Sequence, residues 1–303
     1  MSSAFAIAGT EATTAKLSCP KAPLRLPKVQ ALSSGYQDEV LAFLSRRPVH
    51  TVFMSGLIRD HGLVSICNRG SFYGYRDQND RLSGVALIGP KTLIEACDES
   101  ALETFASLTP ENLTAHLIRG EQQQIEYILG KYSDAGRVPR QISSELLLEQ
   151  VTPPLGVDAE PNLRLATRHD LESVVSINAA LGLEESGVDP LLNDRPGMWA
   201  RTARRVDKGR VWVLVENGRM IFKADIISET PETAFIEGVY VQPEARGTGY
   251  GLRCMTQLAR NLLTRVASTC LVVNEENRRA QAFYRKAGYE IRGYYNTAYF
   301  SAA

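Results

Sequence analysis

Residues 235–251 read FIEGVYVQPEARGTGYG, and no other stretch limits the possible folds as much. Residues 235–241 are rich in β-branched and aromatic side chains, which predicts a strand. Pro243 has no N–H to give and ends it. Arg246 then precedes three glycines at every second position, Gly247, Gly249 and Gly251. Beyond them Leu252, Met255, Leu258, Ala259, Leu262 and Leu263 fall at helical spacings of three and four. A strand, a glycine-rich turn and a helix start form an anion cradle. Glycines let backbone N–H groups come close to a guest, and a helix N-terminus carries partial positive charge. The expected guest is a phosphate or pyrophosphate.

Two common phosphate sites do not fit. A P-loop ends in Gly-Lys-Ser/Thr, which is missing here. A dinucleotide fingerprint needs G-x-G-x-x-G, but Gly251 arrives one residue early. It also needs an acid roughly twenty residues on, where this chain has Leu271 and then Glu275. The turn instead resembles the acetyl-CoA loop of the GNAT superfamily of N-acetyltransferases, V-x-V-x-P followed by R/Q-x-x-G-x-G/A. Here the first part is Val239-Tyr240-Val241-Gln242-Pro243, and the second is Arg246-Gly247-Thr248-Gly249-Tyr250-Gly251. Residues 271–289 resemble that family's second signature, a strand followed by N-x-x-A-x-x-F/L-Y-x-x-x-G-F/Y. Asn277, Ala280, Phe283, Tyr284, Gly288 and Tyr289 meet its fixed positions.

The second motif also has a direct physical reading. Asn277 is a natural helix N-cap and Gly288 a natural C-terminal stop. Ala280 is small enough for a cofactor arm to lie against the helix. Tyr284, two turns beyond Asn277, shares its face. By resemblance Tyr284 is the acid that protonates the departing CoA thiolate; the plain alternative is a core tyrosine. A phenol near pKa 10 and a thiol near 8.5 differ by roughly 2 kcal/mol, so a hydrogen bond to the developing thiolate is useful even without full transfer. Glu237, in register with Val239 and Val241 at period two, is the candidate base, or else an ordinary ion-paired glutamate. Some family members carry a glutamate where this chain has Val272. Deprotonating a lysine-type amine at pH 7 costs about 4–5 kcal/mol and an α-amine about 1, so the need for a base depends on the acceptor.

The resemblance implies an acetyl-CoA-dependent N-acetyltransferase acting on a primary amine by direct attack, with acetyl-CoA as co-substrate and no metal. Arg246, Gly247, Thr248, Gly249, Tyr250 and Gly251 would hold the pyrophosphate. Val239, Tyr240 and Val241 would offer strand-edge hydrogen bonds to the pantetheine arm, with Asn274, Asn277, Ala280 and Tyr284 completing the cofactor side. Two rivals stand beside it: a non-catalytic acyl-CoA sensor and a Fem-like aminoacyl transferase.

Charge bears on the partners. Lys plus Arg number 34 and Asp plus Glu 34, which argues against nucleic acid or an anionic membrane as the main partner. No apolar run approaches eighteen residues. Five scattered cysteines without a C-x-x-C pair fit reduced thiols in a cytoplasm, and Cys254 and Cys270 read as buried structural thiols. The four histidines show no metal spacing. Arg201, Arg204 and Arg205 could meet an acidic acceptor or the CoA 3′-phosphate, or form a solvated helix face. Glu184, Glu185 and Asp189, read as a loop over 184–190, could face a cationic acceptor.

The rest of the chain reads as a flexible lead over 1–30, a unit over 31–150, a Pro-Pro-Leu-Gly linker over 151–161 and a second unit over 162–303. Strand, two helices, three antiparallel strands, helix, strand, helix, strand over 162–303 is the order of a GNAT domain. The first unit echoes that order without R-x-x-G-x-G. The expected fold is α/β (α+β): tandem GNAT-like domains, each a mixed, mostly antiparallel sheet flanked by helices. The degenerate first domain would shape the acceptor site or a subunit contact such as that of a homodimer.

Overall fold

Local chemistry sets many of the element ends. Pro48 takes the first position of a helix over Pro48–His61, where its missing N–H costs nothing. Asp98 caps the helix Glu99–Leu108, its carboxylate accepting the Ala101 N–H at 2.8 Å. Asn217 and Gly218 both take positive φ, 50° and 73°, the type I′ geometry that an Asn-Gly pair predicts between two strands. Gly187, at φ 67°, ends the helix Leu171–Ser186, and Asp189 caps the next one by accepting the Leu191 N–H at 2.8 Å.

The computed structural model describes residues 28–111 and 115–301. The first half runs β1 (Lys28–Ala31), α1 (Gln37–Leu44), α2 (Pro48–His61), β2 (Ser71–Arg76), β3 (Leu82–Ile88), β4 (Lys91–Ala96), α3 (Glu99–Leu108), β5 (Leu117–Glu121), α4 (Gln122–Asp134) and β6 (Gln141–Gln150). The second half repeats that order: β7 (Arg164–Leu165), α5 (Leu171–Ser186), α6 (Pro190–Asp207), β8 (Val211–Glu216), β9 (Arg219–Glu229), β10 (Thr233–Val241), α7 (Tyr250–Leu262), β11 (Ser268–Asn274), α8 (Arg278–Lys286) and β12 (Glu290–Tyr299). Two expectations change. Residues 28–30, read as the end of the lead, belong to β1, which pairs antiparallel with β2 and completes the repeat. The rest of the lead, with Cys19, lies outside the described residues. Glu184 and Glu185 are not in a loop but in the last turn of α5.

Among the described residues all twelve strands form one sheet, ordered β1-β2-β3-β4-β5-β12-β6-β11-β10-β9-β8-β7. Only β4 with β5 and β10 with β11 run parallel. At the centre the halves exchange strands. β12, from the second half, lies between β5 and β6, while β6, from the first, lies between β12 and β11. Each half therefore supplies a strand that the other half's hydrogen-bond ladder requires.

Side-chain alternation assigns the two faces. Leu146, Leu148, Leu271 and Val273 pack with α7, and Ile118 and Ala298 with α3 and α4. Val211 and Val213 face α5 and α6 on the opposite side, where Leu93 meets α1 and α2. On that second face α2 crosses between the halves: Val52 packs with Phe235 and Cys270, and Asp60 pairs with Arg210 and, at 3.4 Å, Lys208. Cys254 and Cys270 are buried, their thiols pushed up to about 12 by burial.

Gly56 allows this crossing. A Cβ there would lie 1.7 Å from Ser228 Oγ and 2.9 Å from its Cβ, and that hydroxyl donates to the Val52 carbonyl at 2.6 Å. Gly56→Ala should cost about 1–3 kcal/mol through overpacking, read as a Tm lowered by several degrees in calorimetry. An unchanged Tm would show that the crossing can shift freely.

Candidate active site

The site begins where two parallel strands part. β10 and β11 pair only over Thr233–Phe235 against Ser268–Cys270. Beyond Phe235, β10 keeps its partner β9 as far as Val241, so its other edge opens into a wedge. Backbone N–H and C=O groups along such an edge are available to an extended guest.

A bulge lies at the mouth of the wedge. Three steps along β10, from Glu237 to Tyr240, match two along β9, from Asp225 to Lys223. Gly238 takes φ 61° within it, a backbone state glycine adopts without penalty. The extra residue reverses the alternation. Val239 and Val241 pack into the core beneath α7 and α8, whereas Glu237 points to the opposite face. The expected shared register of Glu237 with these valines is therefore wrong. The bulge has its own support. Lys223, fully buried, donates to the Gly238 carbonyl at 3.0 Å and to Asn178 Oδ1, and pairs with Asp225 at 3.1 Å. Asp225 in turn meets Arg205 at 3.2 Å and accepts from Asn178 at 3.0 Å. Burial drives the Lys223 ammonium below its usual range, against the pull of Asp225.

The glycine-rich turn leads from β10 into α7. Gly247 and Gly249 sit at φ 86° and 92°. Gly249 is the N-cap and offers no side chain to the first turn. Thr248 N–H bonds the Ala245 carbonyl at 3.4 Å, and its hydroxyl donates to the same carbonyl at 2.7 Å. Among the described residues the N–H groups of Gly247, Gly249, Tyr250 and Gly251 meet no internal acceptor. Arg246 Nε donates to the Val241 carbonyl at 3.0 Å and tethers the turn to the strand end. Gly251 serves packing, since a Cβ would lie 3.0 Å from Val241 and 3.2 Å from Phe283. Tyr250 donates to Glu216 at 2.9 Å and stacks under Arg253. The corresponding turn of the first half, between β4 and α3, differs: the Asp98 carboxylate already occupies that helix start.

On the α7 and α8 face, Asn277 caps α8 by accepting the Ala280 N–H at 2.9 Å. Ala280 and Tyr284 pack at the edge of the same core. Tyr284 is half-buried, its ring against Phe283 and Tyr289, and among the described residues its hydroxyl has no hydrogen-bond partner. Burial, then the charge of Glu185, holds this phenol well above its usual range. Asn274 is spent on the turn, accepting from Glu276 N–H at 2.7 Å and donating to Ser143 at 2.9 Å.

On the opposite face Glu237 joins groups that sequence reading did not connect. Arg119, from β5 in the first half, reaches Glu237 at 3.4 Å and Glu145 of β6 at 3.3 Å, and donates to Thr297 at 2.7 Å. Burial works to raise the Glu237 carboxyl, but Lys91, Arg119 and Arg205 outweigh it and hold the group below its usual range. Glu185, at the end of α5, shows the reverse. Glu185 is solvent-exposed, yet the protein atoms crowding it, reinforced by Glu237 and Glu145, push it up to about 7 against the pull of Arg119. No motif marks Arg119, Glu145 or Lys91, because they come from β5, β6 and β4, first-half strands that are remote from β10 in sequence and not paired with it in the sheet. The three arginines of α6 do not act together. Arg201 pairs with Asp194 at 2.8 Å, Arg205 supports Asp225, and Arg204 lies 4.0 Å from Cys67 Sγ.

Residues 207–291 match the family model described as an acetyltransferase (GNAT) domain. That match falls wholly within the second half of the chain. Solved structures extend the likeness in fold to about 90% of the chain. A Drosophila protein aligns with TM-score 0.66 and 14% identity, over 90% of this chain and 98% of its own. A GCN5-related N-acetyltransferase from Sphaerobacter thermophilus aligns with TM-score 0.58 and 14% identity, over 89% and 94%. A tandem GNAT protein from the clavulanic acid biosynthesis pathway aligns with TM-score 0.56 and 13% identity, over 92% and 100%. No curated protein matches the sequence. The tandem arrangement expected from element order is thus the fold, and in its second half the wedge, the bulge and the glycine-rich turn lie on consecutive stretches of chain. Among the described residues no helix is long and apolar enough to cross a membrane.

Proposed function

We propose that the protein is an N-acetyltransferase that moves the acetyl group of acetyl-CoA to a primary amine by direct attack. One observation carries this reading: the wedge beyond Phe235 passes through the sheet between two chemically different faces. On one face lie the unpaired amides of Gly247, Gly249, Tyr250 and Gly251 and the free hydroxyl of Tyr284. On the other lie Glu237, Glu185 and Arg119. The amides suit a pyrophosphate, which needs converging N–H donors and no side-chain charge. The open edge over residues 237–241 suits an amide-bearing arm, and the thioester that this arm carries supplies the acyl group.

The side chains then divide the work. Glu237, kept ionised by its cationic neighbours, accepts hydrogen bonds from the amine and orients it. Glu185, whose carboxyl is near neutrality, takes up the amine's proton. Two carboxylates driven apart in this way is a common acid–base arrangement. Tyr284, on the opposite face, donates its proton or a hydrogen bond to the departing sulfur. Attack enters from one face of the sheet, and the thiolate leaves toward the other.

A thiol-release assay with acetyl-CoA and pooled primary amines tests the reading. Tight CoA binding without thiol release for any amine would sink it in favour of a sensor. The pH profile is a second check. Glu185 must be unprotonated to act, so the rate should fall as pH drops through about 7. Glu185→Gln should remove that limb and lower kcat by about a hundredfold or more. An unchanged limb would assign the proton to another group.

A further inference from the structure

On the Glu237 face a cavity lies beneath α2, with Phe53 on one side and Lys91, Arg119, Leu147, Phe235 and Val272 on the other. Both halves of the chain line it. Its charged groups are almost all neutralised within the protein. Glu95 and Glu121 share Arg47, at 2.8 and 2.7 Å. Arg119 is held between Glu145 and Glu237. His50 is hydrogen-bonded to the Tyr295 hydroxyl at 2.9 Å. Among the described residues, Lys91 is the exception. No carboxylate approaches its Nζ within 4.0 Å, and its one recorded contact is the face of the Phe53 ring, 3.7 Å from the centroid.

Lys91 thus makes no ion-pair contact: Glu237, Glu145 and Glu185 act on it only from beyond 4.0 Å, and its N–H donors remain open to an anion from outside. We propose that Lys91 binds a carboxylate on the acceptor, so that the acceptor is an amine that also carries a carboxylate. This rests on the transfer reading above and names the substrate class of that site. The charge pattern suits a zwitterion. Glu237 and Glu185 face the amine, and Lys91, on the cavity wall, faces the carboxylate. A single ammonium backed by an aromatic ring suits a small group of one negative charge. A phosphate would need several donors, and those of Arg119 are already engaged. Burial, helped by the Arg119 charge, pulls Lys91 down to about 8, which leaves it mostly charged at neutral pH. Recognition is thereby divided: the second half activates the acetyl donor, and the first half selects the acceptor.

The test uses the full chain and two readouts. In the first, N-acetylamino acids and their carboxamides are added to the CoA-bound protein and the Tm is measured. N-acetylamino acids should raise the Tm of the wild type and their carboxamides should not, and Lys91→Met should abolish the difference. Lys91→Arg keeps the charge, serves as the folding control and should retain part of the difference. In the second, thiol release is compared for amino acids and the matching amino-acid amides. The carboxylate forms should be favoured by about tenfold or more in kcat/KM, falling to about one in Lys91→Met. Equal response to carboxylate and carboxamide in the wild type, no response to any probe, or a difference that survives in Lys91→Met would overturn the proposal. Selective Tm shifts without thiol release would leave the carboxylate site standing and sink the transfer reading instead.

Discussion

Tyr284→Phe should lower kcat by about a hundredfold to a thousandfold, the usual scale for losing a general acid, with acetyl-CoA affinity little changed. The substitution removes one hydroxyl and keeps the ring. That ring packs on Phe283 and Tyr289, centroids 5.2 and 5.8 Å away, so the helix and the core edge stay in place. The hydroxyl has no internal partner to leave unsatisfied among the described residues, and stability should be nearly unaffected. Because burial and Glu185 hold the phenol above its usual range, it stays protonated through neutral and moderately alkaline pH. On the transfer reading, Tyr284 should therefore serve as a donor throughout and add no alkaline limb to the profile there. Steady-state kinetics beside calorimetric CoA titration separates the two effects. A kcat within threefold of wild type would assign the acid elsewhere.

Residues 162–303 expressed alone should give no folded monomer. The fragment carries the whole GNAT match, yet it lacks β6, the strand between β11 and β12. Without it, Thr269–Asn274 lose the partners Gln150–Glu145 and β12 loses its neighbour over Glu290–Tyr299. Unpaired central strands are open edges that aggregate or capture another chain. Co-expression with residues 1–161 should restore a soluble heterodimer with dispersed amide resonances. A dispersed spectrum from the fragment alone, at monomer size, would show that the exchange is dispensable.

Much of the second half was legible because its signals are local. The Asn-Gly pair, Pro243, the alternate glycines and Asn277 each act within a few residues, through φ, a missing N–H or a cap. Period-two alternation failed at Glu237, where one extra residue at Gly238 turned the following side chains to the other face; a bulge leaves only a glycine as its trace. The extent of α5 was missed because Gly187, not the acidic run before it, sets its end. Lys223 and Asp225 could be noticed as polar residues in an apolar strand, but nothing local shows that they brace the bulge.

By itself the sequence determined the glycine-rich turn, the capped helix that carries Tyr284 and the repeated order of elements, since each follows from contacts between near neighbours in the chain. The tertiary structure decided what faces that turn across the sheet. Strand exchange joins β5 and β6 to the second half's sheet, where Arg119 reaches both Glu145 and Glu237, with Lys91 on the wall of the adjoining cavity. Arg119 and Glu237 are 118 residues apart in the chain. Such pairings are fixed by which strands share a ladder and which face a side chain takes, and no run of residues along the chain records either.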